Sequence, residues 1–203
     1  MLWDCTNESL GAIVCGMQPR EGQRILAICG SGDQAFALAG HGATVIAYDI
    51  NAKQIALAEH RRKLLQNKKQ RQFLEKPKYS LCDTPEWERR NTYFRSSPSL
   101  LQKVAKRASH VSFTHGDIFS YNGASVDGVY LSNAWTSPEQ LVGLLSHVAC
   151  NGVIYGARVQ YEKFFRLVSG VCIERRSTEE ARMQELFWSP VIGVRNAEQP
   201  SCK

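Results

Sequence analysis

The stretch from Arg24 to Asn51 constrains this chain more than any other. Ile25-Leu-Ala-Ile-Cys29 is too short for a helix and is closed by Gly30 and Gly32, which predicts a buried strand breaking into a tight turn. Gln34 to Ala39 then predicts one short helix, stopped by Gly40 and Gly42. Thr44-Val-Ile-Ala-Tyr48 predicts a second, β-branched strand with Asp49 at its carboxyl end. Such a unit makes a cleft for a nucleoside. Backbone N–H groups near Gly30 and Gly32 approach the ligand closely, and Asp49 accepts hydrogen bonds from a ribose diol. Gly30-x-Gly32-x-x-Ala35 also fits the dinucleotide fingerprint, so the motif alone leaves the cofactor open. A purely structural glycine turn is the plain alternative.

At 203 residues with 43% hydrophobic content, one well-buried domain over 1–203 is expected. The net charge of +6 is concentrated in 53–78, where Lys and Arg far outnumber Glu59 and Glu75. A solvated helix face explains that excess, and a nucleic-acid surface is its rival. Met1-Leu-Trp-Asp4 has no basic region ahead of an apolar core, and no apolar run approaches the ~18 residues of a bilayer span. The seven cysteines are scattered and lack a C-x-x-C pair, which predicts reduced thiols in a cytoplasmic protein. No His spacing relative to them suggests a metal site.

Along the chain, Thr6-Asn7-Glu8 is expected to cap a helix reaching Pro19, a helical cover over 1–20. Asn51 is expected to cap a long helix through Lys69, with Ile55, Leu57, Ala58, Leu64 and Leu65 on its apolar side. The segment 70–99, with Pro77, Pro85 and Pro98 among aromatics and charges, reads as an irregular insertion with short helices. It serves either as a lid or binding loop, or to pack its aromatics on the body. Val111 to Thr114, Asp127 to Leu131 and Val153 to Tyr155 predict further strands, with a helix opened by Pro138 and a turn at Asn151-Gly152. Val171 to Ile173, Thr178 to Phe187 and Val191 to Val194 predict a closing strand, helix and strand. The expected fold is α/β: one doubly wound, mostly parallel sheet with an antiparallel C-terminal strand. Ligands of such sheets bind beyond the carboxyl ends of the strands. Gly30 to Asp33, Asp49, Asp117 and Ser132 to Trp135 all fall there.

That recurrence of polar groups at four strand ends favours S-adenosylmethionine over NAD, because a dehydrogenase needs a second region that this chain has little room for. Asp117 is placed for an adenine amine, Ile118 or Phe119 for the ring, and Asp33 or Ser31 for the amino-acid portion of the ligand. The pattern resembles the class I S-adenosylmethionine-dependent transferases. Within them, Trp3-Asp4 ahead of Asn7-Glu8, Ile28-Cys-Gly-Ser-Gly-Asp-Gln34, Tyr48-Asp-Ile-Asn51 with Gln54, and Tyr130-Leu-Ser-Asn133 resemble the 3-amino-3-carboxypropyl transferases of the betaine-lipid type. The resemblance covers residues 3 to 158 in patches. It implies that Gly30, Gly32, Asp33, Asp49 and Asn51 hold S-adenosylmethionine, used as a substrate, and that Ser132 and Asn133 face its reacting part; Ile50, between Asp49 and Asn51, is expected at the same cofactor site. The chain is shorter than the lipid-modifying enzymes, so a small acceptor is expected, or attack by the cofactor's own amine to close an azetidine ring.

Methyl and aminocarboxypropyl transfer displace at carbons on the same sulfonium, and placement of the nucleophile selects between them. Asn133 is expected to orient an amine and Ser132 to hold a carboxylate. Trp135, Tyr130 or Tyr161 offers an aromatic face to the sulfonium, or packs in the core. His115 is either a general base or a surface histidine, and Arg158 and Arg166 are carboxylate receivers or surface charge. Small-molecule methyl transfer, NAD-dependent reduction and nucleic-acid binding remain as alternatives.

Overall fold

A computed structural model describes residues 4–76, 84–134, 137–185 and 188–196. Its seven strands are β1 (Arg24–Ile28), β2 (Thr44–Asp49), β3 (Val111–His115), β4 (Val126–Tyr130), β5 (Val148–Gly156), β6 (Val171–Ile173) and β7 (Val191–Arg195). They form one sheet in the order β3-β2-β1-β4-β5-β7-β6. The first five pair in parallel, while β7 runs antiparallel to both β5 and β6. The doubly wound sheet with a reversed C-terminal strand is therefore present. Strand order reverses at β1, whose two neighbours are β2 and β4, and that is where such sheets open a ligand crevice.

Alternation along the strands sorts the core into two layers. Ile25 and Ala27 of β1 join one core, whereas Leu26 joins the other with Ile28 packed against it. The first layer receives α1 (Leu10–Met17), α2 (Asp33–Gly40), α3 (Ala52–Gln66), α4 (Gln70–Leu74), α5 (Thr84–Arg95), α6 (Pro98–Arg107) and, through Ala181, α9 (Arg175–Met183). The second receives α7 (Pro138–Leu145), α8 (Gln160–Leu167) and a 3-10 turn at Ile118–Ser120. No helix among the described residues is long and apolar enough to cross a membrane.

Several local expectations change. Helix α1 starts later than predicted, because Ser9 rather than Thr6 is its cap, accepting from the Ala12 N–H at 3.2 Å. Asn51 does cap α3, accepting from the Lys53 N–H at 3.0 Å. The buried stripe of α3, however, is Gln54, Ala58, Arg61 and Leu65, so the basic helix is not simply a solvated face. Asn151-Gly152 is an irregularity inside β5 rather than a turn before it, with Asn151 at φ +62° and the register to β4 shifting there. Within 70–99, Gln70–Leu74 and Thr84–Arg95 are helical and Phe73, Trp87 and Phe94 are buried, while 77–83, with Pro77 and Tyr79, lie outside the described residues. Cys5 is disulfide-bonded, which departs from a wholly reduced set, while Cys15, Cys29, Cys150 and Cys172 are free.

Candidate functional site

The ends of β1, β2 and β4 meet under the N-terminal segment that precedes α1. Gly30 and Gly32 hold left-handed backbone at φ +46° and +83°. A side chain at position 32 would meet Ala58 Cβ at 3.0 Å and Phe36 Cε2 at 3.2 Å, so glycine is required by conformation and by close packing of α3. Asp49 turns back over this turn. Its Oδ2 accepts from the Gly30 N–H at 3.0 Å and its Oδ1 from the Asn51 N–H at 2.9 Å. A carboxylate has about four lone-pair sites, so acceptor capacity toward the cleft remains. Partial burial raises the Asp49 pKa, opposed by those two N–H donors. Beside it Ile50 stands 75% exposed, an apolar shelf on a strand end.

Beyond β4, Ser132 adopts φ +54°, a conformation that costs a non-glycine residue on the order of 1 kcal/mol or more. Its carbonyl accepts from the Ala157 N–H at 2.8 Å, and its hydroxyl donates to Glu8 Oε1. Glu8 is only 5% exposed, and no salt bridge reaches it among the described residues. Its Oε2 is buried with no hydrogen-bond partner. Burial pushes its pKa up to about 7; the Ser132 and Tyr130 hydroxyls oppose the shift and Glu185 adds to it. The Tyr130 hydroxyl is itself unpartnered in good geometry, yet close enough to favour the ionised acid.

Glu8, Gly30, Gln34, Asp49, Ser132 and Asn133 line a common cleft of about 160 Å³ with Thr6 and Ser31. Gln34 spends its Nε2 on the Ile28 and Cys29 carbonyls at 3.0 and 2.7 Å, leaving its Oε1 buried and unpartnered. Glu8 and Gln34, which both line the cleft, thus each keep one buried acceptor without a partner, an arrangement that calls for a donor. The cleft is well below the roughly 300–1,000 Å³ of a small-molecule site. Ile50 and Asp117 lie outside its lining, on the exposed surface beyond β2 and β3.

Asp33, expected to hold the amino-acid portion of a ligand, serves another purpose. It is 0% exposed and accepts from Arg90 Nε at 2.7 Å, from Arg61 Nη1 at 3.4 Å and from Ser31 Oγ at 2.8 Å. Arg90 is itself buried against the rings of Phe73, Trp87 and Phe94, at 4.4, 4.7 and 5.1 Å from their centroids. Burial pulls its pKa down to about 10, and the neighbouring Asp33 carboxylate opposes that, so it remains cationic at neutral pH. Arg61 also donates to the Asp4 carbonyl, and the Thr6 N–H donates to Asp33 Oδ2 at 3.3 Å. This cluster ties the N-terminal segment down, and in doing so delivers Glu8. The sequence reading missed Glu8 as a site residue, as well as Arg61 and Arg90.

The other expected positions divide. Asp117 is exposed at the end of β3, with Oδ1 accepting from the Phe119 N–H at 3.0 Å. Ile118 is spent on the second core at 2% exposure, so it offers no face to a ring. Tyr161 is fully buried, donates to the Ala134 carbonyl at 2.6 Å and packs beneath Gly156, so it braces the loop after β4 instead of facing a sulfonium. His115 is exposed and donates from Nε2 to the Ile50 carbonyl at 3.1 Å, the surface reading. Arg158 lies over Trp188 at 5.6 Å, and Arg166 pairs with Glu162 at 2.8 Å on the surface. Trp135 lies outside the described residues.

The strand order, with β7 antiparallel between β5 and β6, decides the architecture. The fold is the Rossmann-like methyltransferase fold. A protein assigned as an rRNA methylase from Clostridium thermocellum superposes with a TM-score of 0.55 at 16% identity, covering 95% of this chain and 98% of its own. The [4+2]-cyclase SpnF superposes with a TM-score of 0.56 at 11% identity, over 93% of this chain and 80% of that one. Magnesium protoporphyrin IX methyltransferase (ChlM) from Synechocystis PCC 6803, solved with bound SAM, gives 0.52 at 15% identity, over 91% and 74%. No family model and no curated protein matches the sequence.

Proposed function

We propose that this chain binds S-adenosylmethionine and catalyses displacement at a carbon attached to its sulfonium. The observation that supports the reading is that Glu8 and Gln34, which line the cleft where the sheet changes direction, each keep a buried acceptor, Oε2 and Oε1, without a partner. Both await donors, and an amino acid's ammonium supplies them. Asp49 retains lone pairs for a ribose diol, Ile50 offers an apolar surface to a purine, and the glycine turn lets the ligand lie against backbone. The residues therefore fit the ligand, with its amino-acid end enclosed and its nucleoside on the shelf.

The reaction favoured by the sequence resemblance is transfer of the 3-amino-3-carboxypropyl group to a small nucleophile, or closure of that group on its own amine. A carboxylate whose pKa sits near neutrality beside that amine suits either, since it can take the proton the nitrogen gives up. Small-molecule methyl transfer is the second reading, and the methyltransferases among the structural neighbours favour it. Incubation with S-adenosylmethionine, with and without candidate acceptors, and mass spectrometry of the products separates them. Methylthioadenosine is expected. S-adenosylhomocysteine as the accumulating product would overturn the aminocarboxypropyl reading and leave methyl transfer.

A further inference from the structure

A larger cavity, of about 760 Å³, shares no lining residue with the cofactor cleft. Its volume falls in the range of ordinary small-molecule sites. Glu21 lies just ahead of β1, Gly40 to Gly42 just ahead of β2 and Arg107 just ahead of β3, so this cavity sits at the amino ends of the strands, away from the glycine turn. Its charges do not balance. Glu21 is the one carboxylate on its wall among the described residues, and Arg107 bridges it at 2.9 and 3.0 Å while donating to the Ala39 and Gly42 carbonyls. Lys103 and Lys106, one turn apart on α6, line the same cavity, and neither enters an ion pair among the described residues. That excess is felt at His41, a further lining residue hydrogen-bonded through Nε2 to the Tyr93 hydroxyl at 3.1 Å. Partial burial and then the Lys103 ammonium hold its pKa below the ordinary 6.5, so the imidazole is neutral at pH 7 and the uncompensated charge is that of the two lysines.

We propose that this cavity is a second ligand site and takes a small phosphate ester, its phosphate on Lys103 and Lys106 and its organic part on Val14, Tyr93 and Leu100. A phosphate monoester carries about −1.5 to −2 charges at pH 7, which matches two unpaired ammonium groups, whereas a carboxylate would leave one of them unmatched. Side chains three positions apart on a helix are neighbours, so both lysines reach one phosphate, and Ser99, one turn before Lys103, adds a hydroxyl to the same wall. Arg107, fixed by Glu21 and two carbonyls, shapes the wall and contributes no net charge. The site stands independently of the function proposed above.

Calorimetric titration of the full chain with phenyl phosphate, against phenol and inorganic phosphate, tests this. Phenyl phosphate should bind at least ~10-fold more tightly than either, since phenol lacks the charge-assisted bonds and inorganic phosphate the apolar contact. Lys103→Gln/Lys106→Gln should weaken it by ~10-fold or more, while Lys63→Gln/Lys69→Gln, which removes the same charge outside the cavity, should change it by less than ~2-fold. All four lysines are exposed, so neither double variant puts folding at risk. Saturating phenyl phosphate should also raise the His41 midpoint in an NMR titration, because the anion offsets Lys103. Equal losses in the two double variants, or a His41 midpoint that does not move, would overturn the site and leave only diffuse attraction of anions. A short single-stranded oligonucleotide that displaces phenyl phosphate and binds more tightly would overturn the small-ester assignment and give the lysines to a nucleic-acid backbone.

Discussion

Two buried carboxylates under the same N-terminal segment have opposite surroundings. Asp33 is fully enclosed and satisfied: two arginines, a serine hydroxyl and a backbone N–H converge on it, and aromatic rings enclose one of the arginines. Glu8 is almost as enclosed, yet one oxygen has a single hydroxyl donor and the other none. Burial of a charge is expensive unless it is paired, and a carboxyl that lacks a partner takes up a proton instead. Asp33 is thus framework, and Glu8 is the group to which the proposed function gives a ligand. A ligand site in a small α/β domain is recognisable by that second kind of environment, more than by the acidity of its motif.

The largest expected effect breaks the first environment. Asp33→Asn leaves Arg61 and Arg90 buried without a counter-charge, and removing one member of such a pair costs about 3–5 kcal/mol. Urea denaturation should show that loss. A cost under about 1 kcal/mol would mean that the arginines find water or another acceptor, and that the cluster does not hold the N-terminal segment.

Glu8 should behave in the contrary way. Its folded pKa of about 7 lies above the ordinary 4.5, so the folded chain binds this proton more tightly than the unfolded chain does. The resulting stabilisation is complete below pH 4.5 and is lost as the pH rises through 7. At 1.36 kcal/mol per pKa unit this amounts to about 3 kcal/mol. Glu8→Gln, which keeps a neutral group of the same shape, should flatten the stability-versus-pH curve in that window and leave the acid-side stability intact. Turnover by the same variant should fall by about 100-fold, the scale of a lost general base. A variant with the wild-type pH slope would show that Glu8 reaches water in the folded chain.

The strand–glycine–strand–acid unit was legible because each of its signals is local: period, glycine punctuation and a β-branched run. The same holds for Asn51, whose capping side chain acts within its own turn. The Asp33 cluster was hidden because a basic helix predicts a solvated face, while Arg61 pairs with Asp33, 28 positions away at the start of α2, and lies over Trp87 of α5. A signal was nonetheless present. Gln54, Ala58, Arg61 and Leu65 recur at helical spacing, so two polar side chains stand on the stripe that faces the sheet. Glu8 had no such pattern, since its role depends on Ser132, 124 positions away, adopting a left-handed backbone after β4. Arg90 and Arg61, read as charge, prove to be part of the interior.

The finest comparison is within Ser132 itself, which joins backbone strain to a hydrogen bond. Its hydroxyl favours ionised Glu8, so Ser132→Ala should move the midpoint of the Glu8-dependent stability step upward, by about one pKa unit for a bond worth roughly 1 kcal/mol. Ser132→Gly removes the same hydroxyl but also relieves the penalty of φ +54°. Both variants should therefore shift the midpoint equally, while the glycine variant is more stable than the alanine one by about 1 kcal/mol. A ¹³C-glutamate NMR titration reads the midpoint and urea denaturation reads the stability. A midpoint that moves in Ala but not in Gly would mean that backbone geometry, rather than the hydroxyl, sets the proton affinity of Glu8.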